Sequence, residues 1–550
     1  MSKVLIVGLD GATFDVIRPL VAQGQAIGKH RLPNLGKMLN EGGWGTLHST
    51  IPPITPAAWT TVFTGKNPGK HGIFDFGEFD PVTYARKPVN VDRHREKTIW
   101  GLLGETGKKS IVIDVPYTYP PKPLDGLMIT GFGTPRTPET VFTFPGDLAG
   151  QVPVSLKAEI RVALPENRFD RSLAWAEIME GRRRLLRHLI KEQDWDFFFV
   201  VFSITDNLAH VFWAFLEPMH PNYHHPEGAR FRNALLEAYE QCDALLGDLM
   251  EWAGPDTTTF VMSDHGFGSV YPRQFLFSQL VEGGYLAYKS PPVAASIVRI
   301  AQKLALRTYA TVPFLREWVK GLRPHNQKAM KTTLRRTGFL PDASAIDYRK
   351  SHVLPSNFGL QLWVNDQERF ANGLVTATER ERLVDSLREY LLAIKDPATQ
   401  QPVISKVYLG AEVYRGAAAP KGPDLIIEYT NFYSPTQPLA GAQNARLDGS
   451  HTIEGVFLAH GPNIVPAPVE NASLMDIAPT ILYLLGNPVP PDMDGRVLTE
   501  IFREAYLNQH PITIGTELAR YETTTDGDGE ELTPEEEAEL EMQLRQLGYL

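Results

Sequence analysis

Three short apolar runs, each closed by an aspartate, constrain this chain more than any other feature. Val4–Leu9 leads into Asp10, Phe197–Ile204 into Thr205-Asp206, and Thr258–Met262 into Ser263-Asp264. Runs of four to eight apolar residues without alternation are what a strand covered on both faces requires. Helical patterns separate them: Phe14–Ala22, Pro33–Leu39, Ser172–Lys191, Asn207–Leu216 and Glu227–Trp252. Further strands are expected at Ser110–Val115, Leu127–Thr130, Gly359–Val364, Leu425–Tyr429 and Val456–Ala459, with a helix over Asp476–Leu485. Strands alternating with helices predict an α/β fold of three layers, with a mostly parallel central sheet flanked by helices. Ligands of such sheets bind beyond the carboxyl ends of the strands. One aspartate there is an ordinary helix cap, whereas three suggest convergence on a site.

The stretch Ile51 to Gly65 supplies a hydroxyl. Pro52 and Pro53 hold the approach extended, and Pro56 suits the start of a helix. Thr55 is expected to be the helix N-cap, with Trp59, Val62 and Phe63 as the buried stripe and Gly65 as the stop. The amino end of a helix favours anions.

Histidines accompany the aspartates. Asp206 and His210 are four apart, on one face of the helix expected there, while Asp264 and His265 are adjacent at a strand end. His451 lies in a polar turn ahead of a late strand. Carboxylates alone would suit Mg²⁺; the imidazoles favour zinc, with manganese or iron as alternatives. Other histidines have structural readings. His71 lies in a turn, His220, His224 and His225 in a proline-broken loop that is structural or lines the substrate, and His460 within an apolar strand as an expected core residue.

In order, these motifs resemble the alkaline phosphatase superfamily, in its type I phosphodiesterase/nucleotide pyrophosphatase branch. The resemblance rests on Gly8-Leu9-Asp10-Gly11, on Thr55 ahead of Thr64-Gly65 and Pro68-Gly-Lys-His71-Gly72-Ile73, and on Asp206 with His210. It continues through Asp264-His265-Gly266, His451 ahead of Gly455 and Gly461-Pro462, and Asp476-Ile-Ala-Pro479-Thr480. It implies an alkaline-phosphatase-like fold and two divalent cations. Asp206, His210 and His451 would hold one; Asp10, Asp264 and His265 would hold the other, with Thr55 as a further ligand. It also implies a metal-dependent phosphodiesterase or phosphohydrolase acting through a covalent phospho-Thr55, with nucleotide pyrophosphate bonds among the candidate substrates. A phosphotransferase or mutase, and a non-catalytic metal-binding homologue, are the alternatives. Phe76 occupies the position where nucleotide-cleaving members carry an asparagine against the phosphate, so the helix amino end or Lys66 is expected to hold the phosphate. Thr55-Pro56-Ala57-Ala58-Trp59 lacks the modified Cys or Ser motif of sulfatases.

The catalytic domain is expected to span 1–275 and 345–505, interrupted by a helical cap at 276–344. Within it Lys289–Arg336 holds eleven Lys and Arg and one Glu, in a chain of net charge −10. That contrast points to contact with an anionic substrate or a membrane surface. The overall acidity argues against a nucleic-acid polymer as partner. An acidic linker, Tyr521–Glu531, precedes an expected docked helix carrying Leu540, Leu544 and Leu547, within a 506–550 tail. The one cysteine, Cys242, precludes an internal disulfide or a Cys-rich zinc site. With no signal-like or spanning segment read at the N-terminus or beyond, the cytoplasm is the expected location. The partner is expected to be a small-molecule phosphate ester.

Overall fold

The structure is a computed structural model. It describes residues 3–27, 31–90, 96–135, 137–152, 168–218, 221–224, 226, 228–268, 274–289, 346–357, 359–395, 400–430, 449–520 and 532–547. The basic stretch 290–336, His220, His225 and the acidic linker lie outside these residues.

The main sheet runs in the order Ala467–Pro468, Gly43–His48, Glu454–His460, Thr257–Met262, Lys3–Leu9, Phe197–Phe202, Ser110–Val115, Gly126–Thr130, Thr143–Phe144. Lys3–Leu9 is parallel to both its neighbours, and Ser110–Val115 extends the parallel set. Glu454–His460 is antiparallel to the strands on either side of it.

The unbroken apolar runs follow from this arrangement. Val4 and Ile6 point into one buried cluster with Phe197, Phe199, Trp59 and Phe63. Leu5, Val7 and Leu9 point into the opposite one with Phe198, Val200, Leu208 and Leu246. Successive side chains of a strand face opposite ways, so a strand between two helical layers has no solvent-facing side. The long helices Arg168–Glu192 and Gly228–Ala253 cover one face, while Thr55–Thr64 and Ile477–Leu484 cover the other.

The described strands between 345 and 505 divide mainly between two sheets, with Ser450–Thr452 in a short ladder of its own. Residues 454–473 return to the main sheet, whereas Val353–Pro355, Gln361–Val364, Leu425–Tyr429 and Ile404–Leu409 form a separate antiparallel sheet. Helices Gln274–Glu282 and Ala377–Leu392 pack on it around Leu276, Leu280, Leu387 and Leu391. The helix Pro534–Leu547 docks through Leu540 and Leu544, both fully buried. The Leu547 side chain falls outside the description. No helix among the described residues is long and apolar enough to cross a membrane.

Candidate metal centre

Register brings the three aspartates to one level. Leu9 lies opposite Phe202, and Gly8 opposite Met262, so the chain leaves all three strands at the same edge. Asp10 follows its strand directly and Asp264 comes two residues after Met262. Asp206 sits in the first turn of the helix Ile204–Leu216, with His210 one turn on. Gly11 adopts φ +66°, and a Cβ on it would meet Asp206 at 3.2 Å, so the turn and the carboxylate share that space. His451 arrives by a short ladder, Gly266–Gly268 against Ser450–Thr452, in which it pairs with Phe267.

The side chains converge. Asp206 Oδ1 lies 3.2 Å from both His210 Nε2 and His451 Nε2. The two imidazole Nε2 atoms are 3.0 Å apart. His265 Nε2 lies 3.3 Å from Asp264 Oδ2 and 3.6 Å from Asp10 Oδ1. The His265 and His451 rings stack with centroids 3.5 Å apart. Thr55 Oγ1 is 3.5 Å from His265 Nε2. All seven residues singled out in the sequence thus meet at one place.

By distance alone the donors form two groups, Asp206, His265 and His451, and Asp10, Asp264 and His265. His265 is common to both. Its short contacts to Asp264 and Asp10 favour counting it with them.

The donor set fits divalent cations. Asp10 Oδ1, Asp206 Oδ1 and Asp264 Oδ2 are buried without a hydrogen-bond partner, and such oxygens are costly unless a cation satisfies them. Their other oxygens are engaged at Asp10 and Asp264: Trp59 Nε1 donates to Asp10 Oδ2 at 3.2 Å, and the Gly11 N–H to Asp264 Oδ1 at 3.3 Å. The imidazoles are oriented to match. His451 Nδ1 donates to the Pro53 carbonyl at 2.9 Å and His265 Nδ1 to the Gly266 carbonyl at 3.0 Å. A carbonyl only accepts, so the proton sits on Nδ1 and Nε2 presents its lone pair to the centre.

Electrostatics agree. Burial, reinforced by the charges of Asp264 and Asp206, pushes Asp10 well above the usual carboxylate range. Burial and the Asp206 charge do the same to Asp264. Burial opposes ionisation of Asp206 as well, but that carboxyl is held well below its ordinary value, with His210 the largest opposing influence. Burial depresses His265 and His451, keeping both in the neutral form that ligates metals.

Several expectations change. Thr55 is the first residue of its helix, not the cap: Ile54 takes the cap position and no side chain caps the helix. The Thr55 hydroxyl is consequently free to face the centre. Lys66 cannot hold the phosphate. It is fully buried and its ammonium donates to Glu96, Asp492 and the Ala519 carbonyl. His460 is only partly buried and faces Glu41 at 3.6 Å, because it ends its strand at the rim. His224 is exposed, in a short turn of 3₁₀ helix. His71 is structural as expected: its Nδ1 accepts from the Ile73 N–H, and its Nε2 is 3.1 Å from Thr61 Oγ1. Phe76 is buried in an apolar cluster with Ile54, Ile73, Val89 and Tyr117. Sequence reasoning missed the supporting groups. Trp59 is read as core from its spacing, and nothing in the sequence marks the Pro53 and Gly266 carbonyls.

A family model described as type I phosphodiesterase / nucleotide pyrophosphatase matches residues 4–453. No curated protein matches the sequence. Murine ectonucleotide pyrophosphatase / phosphodiesterase 5, in an inactive form with AMP, is similar at 13% identity and a TM-score of 0.46, over 88% of this chain and 96% of that one. Wild-type alkaline phosphatase PafA is similar at 13% and 0.49, over 92% and 99%. Phosphonoacetate hydrolase from Sinorhizobium meliloti 1021 with phosphonoformate is similar at 14% and 0.46, over 87% and 94%. None of these scores reaches 0.5, and the site stands on its own residues.

Proposed function

The chain belongs to the type I phosphodiesterase / nucleotide pyrophosphatase family, and on that premise we propose that it cleaves a small-molecule phosphate ester by way of a covalent phospho-Thr55. Membership makes it a hydrolase of phosphoric ester or phosphoanhydride bonds. The observation that carries the finer reading is a buried hydroxyl, Thr55 Oγ1, facing His265 beside three carboxylate oxygens with no hydrogen-bond partner. Asp206, His210 and His451 would hold one divalent cation, and Asp10, Asp264 and His265 the other. When bound, the cations would supply Lewis acidity, drawing charge from the phosphoryl oxygens and lowering the proton affinity of the hydroxyl. Zinc suits a set that is half imidazole, with manganese or iron as alternatives.

The chain's own groups then have distinct tasks. Thr55 gives up its hydroxyl proton to solvent and attacks phosphorus in line with the leaving oxygen. The Thr55–phosphorus bond forms as the ester bond breaks, and the leaving group departs with its electron pair. Water then attacks the phosphothreonine, releases the phosphate product and returns the hydroxyl. The positive end of the Thr55–Thr64 helix faces the transferred oxygens in this reading. With Lys66 tied up by acids and Phe76 buried, that helix end is the chain's remaining candidate among those two and itself. The proposed location is the cytoplasm.

The test is a comparison of wild-type and Thr55→Ala enzyme on a nitrophenyl phosphate diester, at equal metal content. Hydrolysis confined to the wild type supports the nucleophile; equal hydrolysis by the variant removes it.

A further inference from the structure

The helix Pro534–Leu547 lies beyond the stretch that the family model matches, which ends at residue 453. It nonetheless joins the buried cluster that holds the residue preceding the nucleophile. Leu540 and Leu544 share one buried cluster with Ile54, Phe76 and Tyr117. Polar contacts fix the helix at two further points. Glu536 accepts from the Tyr119 hydroxyl, and the buried Gln543 donates to the Thr134 carbonyl at 3.4 Å.

Ile54 is a sensitive place to press. As the cap residue, its carbonyl accepts the first helical hydrogen bond, from Ala58 N at 2.9 Å, and its own N–H donates to the Pro52 carbonyl at 3.0 Å. Thr55 makes no capping bond that would aim its hydroxyl, so the backbone at Ile54 aims it. On the other side, the Pro53 carbonyl orients His451. A shift of Ile54 therefore moves the nucleophile and a ligand's anchor together.

We propose that the C-terminal helix is a positioning element of the active site: Leu540 and Leu544 complete the apolar cluster that holds Ile54, and through it Thr55, in the attacking geometry. This rests on Thr55 as the nucleophile. Shortening both leucines opens space that the Ile54 loop relaxes into. A misplacement near 1 Å costs catalysis on the order of 100-fold, while substrate binding depends on it far less.

The experiment uses the full chain, metal-loaded, as Leu540→Ala/Leu544→Ala and as Leu540→Met/Leu544→Met. The alanine pair is expected to lower kcat by about 10- to 100-fold, with KM changed little and the main thermal transition retained. The volume-conserving methionine pair is expected to restore kcat. Wild-type kcat in the alanine pair overturns the inference. So does loss of the whole folding transition, or an effect confined to KM, since either makes the helix scaffold or pocket wall only. Thr55→Ala as a control separates the two readings. Turnover kept in Thr55→Ala defeats the nucleophile; turnover lost there but kept in the alanine pair defeats the helix alone.

Discussion

Thr55 shows how one displaced cap changes a residue's chemistry. A threonine ahead of Pro56 reads as a capping residue, and capping would consume its oxygen. With Ile54 in that role, the hydroxyl turns to the centre, and the residue is 5% exposed. Thr55→Ala is expected to lower kcat by roughly 10³-fold or more while the fold is retained, checked by steady-state kinetics beside circular dichroism. Trp59 acts at one remove: its indole N–H occupies Asp10 Oδ2 and leaves Oδ1 for a cation. Trp59→Phe keeps an aromatic ring in the core but removes the donor and frees that oxygen, so metal affinity or activity should fall about 10- to 100-fold, read by metal titration. Affinity equal to wild type would leave the indole a packing group only. The candidate ligands were legible as a group because strand ends and i,i+4 spacing locate carboxylates and imidazoles. Their supports were not, since a carbonyl acceptor belongs to every residue alike.

At the scale of elements, the Thr55–Thr64 helix is tied down at its far end by Lys66. The ammonium is wholly buried, as is most of the Glu96 carboxylate it meets. Lys66→Met would leave that carboxylate only the distant Arg520, at 3.7 Å, at a cost of about 3–5 kcal/mol or somewhat less, measurable as a lower denaturation midpoint. Burial would raise the Asp492 carboxyl, but Lys66 and the Ala519 N–H outweigh it and hold it below its ordinary value. A depressed carboxyl stabilises the fold above its unfolded pKa of about 4, and that contribution disappears as pH falls through the lower folded value. Acid unfolding of wild type should accordingly steepen below about pH 4, and the change should shrink in Asp492→Asn. A lysine one residue past a helix stop gives no sign in sequence of its three partners, two of them more than 400 positions away. Phe76 was legible as a departure from the family, but its cluster with Leu540 and Leu544 needed the tertiary structure.

For the whole molecule, the parallel sheet was legible because both of its faces are covered and its strands read as runs without polar–apolar alternation. The second sheet was harder to place. Its strands Gln361–Val364 and Leu425–Tyr429 are as apolar as those of the main sheet, and only pairing assigns them to another core. The cation centre joins the Lys3–Leu9, Phe197–Phe202 and Thr257–Met262 strands to the His451 ladder, so filling it should brace segments far apart in the chain. Metal-depleted protein is expected to lose activity and to melt lower than protein resupplied with zinc, since a ligand bound only by the native state stabilises it. A melting temperature indifferent to metal would separate the donor cluster from cation binding.

The most direct test of the whole account is chemical capture. Metal-loaded enzyme turning over a phosphate diester is quenched in acid, digested and analysed by mass spectrometry. The account predicts a phosphoryl group on the peptide that carries Thr55, absent from Thr55→Ala. A phosphoryl group on another residue, or none on an enzyme that is turning over, would contradict it.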